Sequence, residues 1–170
     1  MSARLSTAIR RGKAAKAILR KTQRFPDPEF GELSDQTEHE HVGVEPMLLA
    51  LSMELALKAW FVFDYDNPKV VKSHNLIKLF DRLKPESKEK LDAEFKISVV
   101  PYHPNFLHVD YGISDILYQH QDAFMDWRYL HESKKSMRFE QSAFEATLEM
   151  VLREFEKRYR IEPAQSIWSS

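Results

Sequence analysis

A stretch in the last third of the chain, FMDWRYLHE at residues 124–132, contains several side chains that could do chemistry. Arg128, His131 and Glu132 stand three and four positions apart, a spacing that places them on adjacent parts of one helix surface. Arginine suits a phosphate or a carboxylate, and histidine exchanges protons near neutral pH, which is the chemistry of metal-independent RNases. Arg128 and His131 are therefore candidate catalytic residues, and Arg128 and Glu132 are candidate ligand-binding residues.

The same three residues also have a structural explanation. Arg128 can pair with Glu132 four positions later, or with Glu54 of an apolar segment earlier in the chain. His131 can complete a hydrogen bond inside the core. Because structural ion-pair networks resemble active sites, the sequence leaves both interpretations open.

Two further motifs contain histidine. His39 and His41 in TEHEH could bind a metal ion, but a metal site needs three or four fixed ligands and this segment is a polar loop, so no metal site is predicted. His74 follows Ser73, a residue type that caps helices. It could contact a ligand at a helix start, or simply pack beside the cap, and we include it among the candidate ligand-binding residues.

The elements that would position these residues are all helical. Apolar residues recur at helical spacing, prolines interrupt the pattern, and no alternating pattern lasts long enough for a sheet. We predict an all-α fold, an antiparallel bundle of five or six helices, with Ser73 and Ser114 as caps. The predicted helices cover residues 3–23, 46–64, 74–84, 86–97, 114–133 and 137–160, and residues 161–170 are predicted to be a loose tail.

The segment 46–64 is predicted to be the central helix, because apolar residues occupy nearly all of its faces. Glu54 and Lys58 are the exceptions, four positions apart with the acid first, which favours an ion pair between them. Both are candidate ligand-binding residues. The apolar run 47–63 contains this pair and is shorter than the ~20 residues that a bilayer needs, so no membrane span is predicted.

The composition sets limits on the class of protein. With 170 residues, 43% hydrophobic and 30% charged, the chain is predicted to form one soluble domain over residues 1–170. It has no cysteine, which excludes disulfides and thiolate nucleophiles and fits a cytoplasmic location. Glycine-rich phosphate loops and GxSxG motifs are absent, and no cofactor is predicted.

The net charge of −1 hides a basic N-terminal segment. Residues 1–24 contain eight Lys and Arg residues and no acid, so this segment carries +8 and the rest of the chain −9. It could pack on the body, contact nucleic acid or anionic lipid, or be a targeting peptide. We favour a helix packed on the body. Its apolar arc is made largely of small residues, too weak for membrane insertion: Leu5, Ala8, Ile9, Gly12, Ala15 and Leu19.

Three blocks of the sequence, taken in order, resemble motifs of the HEPN domain family. LLALSMELALKAWF (48–61) contains an E-x-x-L-K pattern from Glu54 to Lys58, and KSHNLIKLFDRL (72–83) contains an H-[DN]-L-x-x-L helix start at His74. DAFMDWRYLHE (122–132) is similar to the WRY-x-x-E helix of some members.

This resemblance implies an all-α bundle, usually a homodimer, of the kind found in prokaryotic toxin–antitoxin, phage-defence or antibiotic-linked nucleotidyltransferase systems. RNase members of the family carry an arginine and a histidine separated by four to six residues, facing a groove at the dimer interface. Here only two residues separate Arg128 from His131, so the family's catalytic pair is not carried over.

We therefore expect a cytoplasmic, dimeric, HEPN-like module that binds a nucleotide, RNA or a partner protein. Two alternatives stay open: a metal-independent RNase with a non-standard Arg128 and His131 pair, and a structural adaptor without a ligand. The predicted ligand-binding residues are Arg128, Glu132, Glu54, Lys58 and His74.

Overall fold

Helices form wherever the sequence shows helical spacing of apolar residues. The computed structural model describes residues 3–24, 43–67, 69, 72–103, 110–132 and 138–165, with the backbone alone for residues 3, 4, 131 and 160–165. Within these ranges the chain contains no strand, which confirms the all-α prediction. The helices are α1 (Ala3–Thr22), α2 (Val44–Tyr65), α3 (Leu76–Asp81), α4 (Pro85–Ser98), α5 (Ile113–Gln119), α6 (Ala123–Arg128) and α7 (Gln141–Gln165).

Each of the six predicted helices has a counterpart, but three differ in extent. α3 covers only Leu76–Asp81 of the predicted range 74–84. The helix predicted over 114–133 is divided into α5, α6 and a 3₁₀ turn at Leu130–Glu132. α7 continues to Gln165, so the backbone of residues 161–165 is helical and not the loose tail that was predicted. Extending an existing helix is far easier than starting one, which explains this continuation. Residues 166–170 lie outside the described ranges.

Side-chain contacts fix the relative directions of the long helices. Lys16 and Gln23 bond to Glu156 and Glu149, so α1 runs antiparallel to α7. Between α2 and α7, Gln141 bonds to Glu45, and Trp60 Nε1 donates to the Val151 carbonyl at 3.1 Å. These two helices therefore run in the same direction. The predicted antiparallel arrangement therefore holds for α1 against α7 and fails for α2 against α7. The intervening helices return the chain to the side on which α2 begins.

α2 is the central helix, as predicted. Leu49, Met53, Leu57 and Trp60 are all 0% exposed, and they contact neighbours on several sides of the helix. By length and apolar composition α2 could cross a bilayer, but 56% of that stretch is buried, as in the core helix of a soluble protein. Each large apolar side chain enclosed in this way contributes about 1.5–3 kcal/mol, so α2 supplies much of the folding free energy.

The basic helix α1 packs on the body through small residues. Ala8, Gly12 and Ala15 are buried, and Ser52 Oγ of α2 donates to the Ala15 carbonyl at 2.7 Å. A Cβ at Gly12 would lie only 2.7 Å from the ring of Phe155, so glycine is what lets α1 approach α7 this closely. The small-residue arc in the sequence is thus a helix–helix interface.

Gly43 begins α2 in the left-handed region, with φ of 89°. This conformation costs L-residues with a side chain about 1–2 kcal/mol, which glycine avoids. A Cβ at this position would also lie 3.0 Å from the Leu130 side chain and 3.3 Å from that of Trp127. The glycine therefore sets both the entry angle of α2 and its close contact with the α6 region.

Asp64 fixes the far end of α2. Its carboxylate accepts hydrogen bonds from Ser87 Oγ at 2.7 Å and from the Lys84 backbone N–H at 3.0 Å, and it pairs with Arg158 of α7. The Arg158 guanidinium lies 4.7 Å from the centroid of the Phe63 ring. Because these partners satisfy its oxygens, a buried charge at this position joins α2, α4 and α7.

The helix break between α5 and α6 occurs at a buried histidine. His120 Nδ1 donates to the Ile116 carbonyl at 2.9 Å, and its Nε2 accepts from the Glu140 backbone N–H at 3.0 Å. This pair of bonds requires the neutral ring with its proton on Nδ1. The rings of Phe139 and Phe144 lie 4.7 and 5.2 Å from it, centroid to centroid. The helix therefore ends at His120, and the side chain of His120 bonds to the segment that leads into α7.

Both predicted serine caps are wrong. Asn75 caps α3, since its side chain accepts from the Lys78 backbone N–H at 2.9 Å, and Ser73 instead accepts from the Asn75 N–H at 3.1 Å. Ser114 lies inside α5, where Asp115 accepts from the Gly112 N–H at 2.7 Å. The N-cap of α5 is Gly112, to which Asp115 bonds back from three positions later. Asparagine, serine and glycine all occur as N-caps, so residue type alone could not choose between neighbouring positions.

We predict that acidification destabilises the protein through His120. Burial lowers the pKa of this ring below its ordinary value of 6.5. As pH falls through 6.5 the unfolded chain binds a proton here while the folded chain does not, so stability falls until the folded-state pKa is passed. Urea unfolding at about pH 7.5 and about pH 5.5 measures this loss.

The control is His120→Gln, whose amide can make both hydrogen bonds but does not titrate. The variant should lose less stability than the wild type between the two pH values. An equal loss in both proteins would show that His120 is not the group responsible.

Candidate functional site

The site is built around Glu54, a carboxylate only 4% exposed in the middle of α2. Its Oε1 accepts from Lys58 Nζ at 2.5 Å, one helical turn later, which is the pair predicted from the spacing. Its Oε2 lies 2.8 Å from His74 Nδ1. An ionised carboxylate only accepts, so Nδ1 carries the proton of the histidine ring. Glu54 therefore connects two candidate residues that are 16 positions apart in the sequence.

His74 is held from three directions. The Glu54 carboxylate fixes one nitrogen, and the ring stacks on Phe124 of α6 at 4.9 Å between centroids, with 25° between the planes. The neighbouring Asn75 Nδ2 donates to Asp122 at 2.9 Å and to Gln121 at 3.0 Å, which ties this segment to the turn before α6. The His74 side chain nevertheless remains 52% exposed, so it is oriented without being enclosed.

The second ring nitrogen of His74 is available to a ligand. Within the described ranges Nε2 has no hydrogen-bond partner, whereas Nδ1 is fixed by Glu54. A carboxylate that bonds to one nitrogen of a histidine sets the tautomer and leaves the other nitrogen as the acceptor. His74 can therefore accept a proton or a hydrogen bond at a position that the fold defines.

Arg128 lies beside the same aromatic ring. Its guanidinium carbon is 6.0 Å from the Phe124 centroid and 5.5 Å from the Tyr129 centroid. Arg128 is exposed and forms no ion pair among the described residues, so neither of its two predicted acidic partners holds it. The rings of Phe124 and Tyr129 orient the guanidinium, and within the described ranges its hydrogen-bond donors are open to an anion.

The predicted site residues fall into two groups. Glu54, Lys58 and His74 form one hydrogen-bonded unit, and Arg128 joins it through Phe124. Glu132 is exposed in the 3₁₀ turn after α6, and only the backbone of His131 is described there.

The predicted HxH motif cannot be placed, because His39 and His41 lie outside the described ranges. Among the residues that are described, no group of three or more histidines and acids could hold a metal ion.

Sequence reasoning missed two residues that assemble this site. Phe124 was within the stretch FMDWRYLHE but received no role, although it stands four positions before Arg128 and so shares a helix face with it. Asn75 was noted only as part of the His-Asn-Leu motif, whereas its side chain both caps α3 and bonds to Asp122. The second function depends on tertiary contact, which no local pattern could reveal.

The cluster contains one ion pair beneath the surface and one exposed cation. Glu54 and Lys58 neutralise each other beneath His74, with Lys58 16% exposed. Arg128 adds a cation without an acidic partner in the described structure. We call His74, Phe124, Arg128, Glu54 and Lys58 the His74–Arg128 cluster. It combines an oriented imidazole with a free guanidinium, a pair suited to phosphate recognition and to proton transfer beside it.

Comparisons of this chain with protein-family models, with curated proteins and with solved structures find no match. The HEPN resemblance therefore stays a prediction that rests on the sequence motifs.

We predict that Glu54 and Lys58 are strongly coupled in stability. Glu54→Leu leaves the mostly buried ammonium of Lys58 without its partner and should cost about 2–3 kcal/mol in urea unfolding. The double variant Glu54→Leu, Lys58→Met removes both charges, and we expect it to recover most of that loss.

Lys96→Met is the matched control, because Lys96 also forms an ion pair with an acid four positions earlier, Asp92, but is 42% exposed. Its removal should cost less than about 1 kcal/mol. If the double variant instead loses the sum of its two single losses, Glu54 and Lys58 do not act as a pair.

Proposed function

We propose that this chain is a cytoplasmic, HEPN-like helical module that binds a nucleotide or RNA through a phosphate group at the His74–Arg128 cluster. The chain would act in a prokaryotic defence or toxin–antitoxin type system, as the sequence resemblance implies. The single observation that carries the proposal is an exposed Arg128, without an acidic partner among the residues that the structure describes, beside a histidine whose orientation is fixed by a buried carboxylate.

The cost of building this arrangement supports a role in binding. A carboxylate such as Glu54 loses its hydration when it is buried, and an apolar residue in its place would avoid that loss. Glu54 has two partners, and one of them, His74, projects into solvent with 52% of its side chain exposed. The orientation of an exposed imidazole contributes little to core packing, so this arrangement favours a role in ligand binding.

The surroundings also suit a nucleotide. Tyr129 is 42% exposed and lies under the Arg128 guanidinium, so it offers an aromatic face beside a phosphate-binding cation. Bases stack on exposed aromatic side chains, and arginine contributes both charge and a planar surface. A phosphate at Arg128 and a base near Tyr129 would use these two neighbouring exposed side chains.

Titration with ATP by calorimetry tests the site. Arg128→Gln should weaken ATP binding about tenfold or more, since a hydrogen bond to a charged group contributes about 1.5–3 kcal/mol. His74→Gln should also weaken it. Arg82→Gln is the matched control, because Arg82 is likewise an exposed arginine at the end of a six-residue helix, and it should bind like the wild type.

No binding of ATP or of a short RNA by the wild type would remove this proposal and favour the structural adaptor or a module that binds only a partner protein. Equal weakening in all three variants would indicate a general charge effect and no defined site.

RNA cleavage without a metal is the second candidate function, and the Glu54–His74 bond favours it. With Nδ1 held by Glu54, Nε2 of His74 could take the proton of a ribose 2′-OH as that oxygen attacks the adjacent phosphorus, and the 5′-oxygen would leave with a proton from water. Arg128 would stabilise the negative charge that develops on the non-bridging phosphoryl oxygens. Arg128 and His131 remain the catalytic pair predicted from the sequence, with His74 now an alternative base. RNA recovered from binding assays in EDTA and run on a denaturing gel shows whether cleavage occurs.

The homodimer expected from the resemblance would use α6. Met125 and Tyr129 are 37% and 42% exposed, and tyrosine, methionine and arginine are enriched at protein interfaces. We predict that Tyr129→Asp shifts a dimer toward monomer in sedimentation equilibrium. Tyr102→Asp, at a tyrosine 78% exposed after α4, should leave the dimer unchanged. A wild type that sediments as a monomer at micromolar concentration contradicts this expectation.

A further inference from the structure

The outer face of α1 is a continuous basic surface. In the part of the helix whose side chains are described, the exposed residues are Arg10, Lys13, Ala14, Ala17, Arg20 and Lys21. At 100° per residue they fall within an arc of about 120°, opposite the buried arc. From Arg10 to Lys21 this face extends about 17 Å along the helix. Arg24, also exposed, follows directly in the turn after α1.

The cations of this face take no part in the ion pairs of the described structure. Lys16, at the edge of the arc, pairs with Glu156 of α7 at 2.6 Å. Arg10, Lys13 and Lys21 form no ion pair among the described residues, and neither do Arg20 and Arg24. The acidic residues of the other helices could have paired with the outer cations, as Glu156 pairs with Lys16. The helix dipole favours cations in the last turn, which accounts for Arg20 and Lys21 but not for Arg10 and Lys13.

We infer that this outer face of α1 binds the phosphate backbone of a nucleic acid strand, at a surface separate from the His74–Arg128 cluster. Four exposed cations lie along it and Arg24 follows in the next turn; on the described part of α1 the other exposed residues are the two alanines. Because Ala17 is small, a strand can approach the helix closely between the row of Arg10 and Lys21 and the row of Lys13 and Arg20, and Ala14 at the edge of the arc does not obstruct it. Contacts of this kind are to phosphate, so the binding should not depend on base sequence.

A membrane surface fits this face less well. Helices that lie on a membrane insert large apolar side chains opposite their cations. In α1 the residues opposite the basic arc are Ala8, Ala15 and Leu19, which are 0%, 0% and 4% exposed because they pack on the body. No apolar side chain larger than alanine is exposed on the described part of the helix. The face is thus electrostatic alone, as in backbone binding to nucleic acid.

Fluorescence anisotropy with a labelled single-stranded RNA of about 20 nucleotides and mixed sequence tests the inference, at about 50 mM and about 200 mM salt. The full chain is used, so that the carboxylates of Asp27, Glu29, Glu32, Asp35, Glu38 and Glu40 are present as natural competitors. The variant is Arg10→Gln, Lys13→Gln, Lys21→Gln, since glutamine keeps nearly the same helix propensity.

The matched control is Lys69→Gln, Arg82→Gln, Lys84→Gln, which removes the same three charges at exposed positions outside α1. We expect the α1 variant to bind RNA at least about tenfold more weakly at about 50 mM salt, with a slope of log K against log salt smaller by about 2, as loss of three single-strand phosphate contacts requires. The control should bind within about twofold of the wild type.

Two outcomes with RNA would overturn the inference: no binding by the wild type at about 50 mM salt, or equal weakening by both triple variants. A third would be that the wild type binds vesicles of phosphatidylcholine and phosphatidylserine and that these vesicles displace the bound RNA. The test is independent of the proposed function. The α1 variant should still bind ATP, whereas Arg128→Gln should keep the salt-dependent RNA contacts of α1. Failure of one surface is therefore distinguishable from failure of the other.

Discussion

The enclosure of Glu54 within α2 is the constraint on which the candidate site depends. A carboxylate 4% exposed in the most apolar helix must be neutralised by neighbours, because an isolated charge is too costly in that environment. Lys58 supplies the charge from the same helix, and His74 supplies a second hydrogen bond from a distant segment. The requirement to satisfy one buried oxygen therefore fixes an exposed imidazole on the surface. The hydrogen bond between Glu54 and His74 therefore stabilises the core and orients the candidate site.

The existence of the helices could be predicted from the sequence, and so could the identity of the central one. Apolar residues at helical spacing report burial directly, and the pair of Glu54 and Lys58 follows from a local spacing rule. The break at His120 could not be predicted, because it results from a hydrogen bond to the Glu140 backbone, 20 positions away. The spacing of apolar residues within one helix contains no information about a distant residue whose hydrogen bond ends that helix. The same holds for the parallel direction of α2 and α7.

The site shows the same division between local and distant information. Arg128 and His74 were chosen because their residue types and motifs suggest chemistry, and their common neighbour Phe124 was overlooked. Aromatic residues at helical spacing usually indicate core, so nothing in the sequence marked Phe124 as the element between an imidazole and a guanidinium. The predicted partners of Arg128 also illustrate a limit. Spacing shows which acids an arginine can reach, but stacking on nearby rings competes with those pairs.

The pattern of charge balance in the fold distinguishes structural cations from those available to ligands. Each of the carboxylates of Glu54, Asp64 and Glu154 is buried, and each has at least one cation in contact. Most of the cations that serve them belong to α2 or α7 or to helices packed against those two. Arg128 and the outer face of α1 lie outside this system, exposed, and without acidic partners among the described residues. Their removal should therefore change ligand binding and leave the free energy of unfolding nearly unchanged, whereas removal of Lys58 or Arg158 should change stability first. Arg128 and the outer face of α1 are therefore the surfaces on which an anionic ligand is expected to bind.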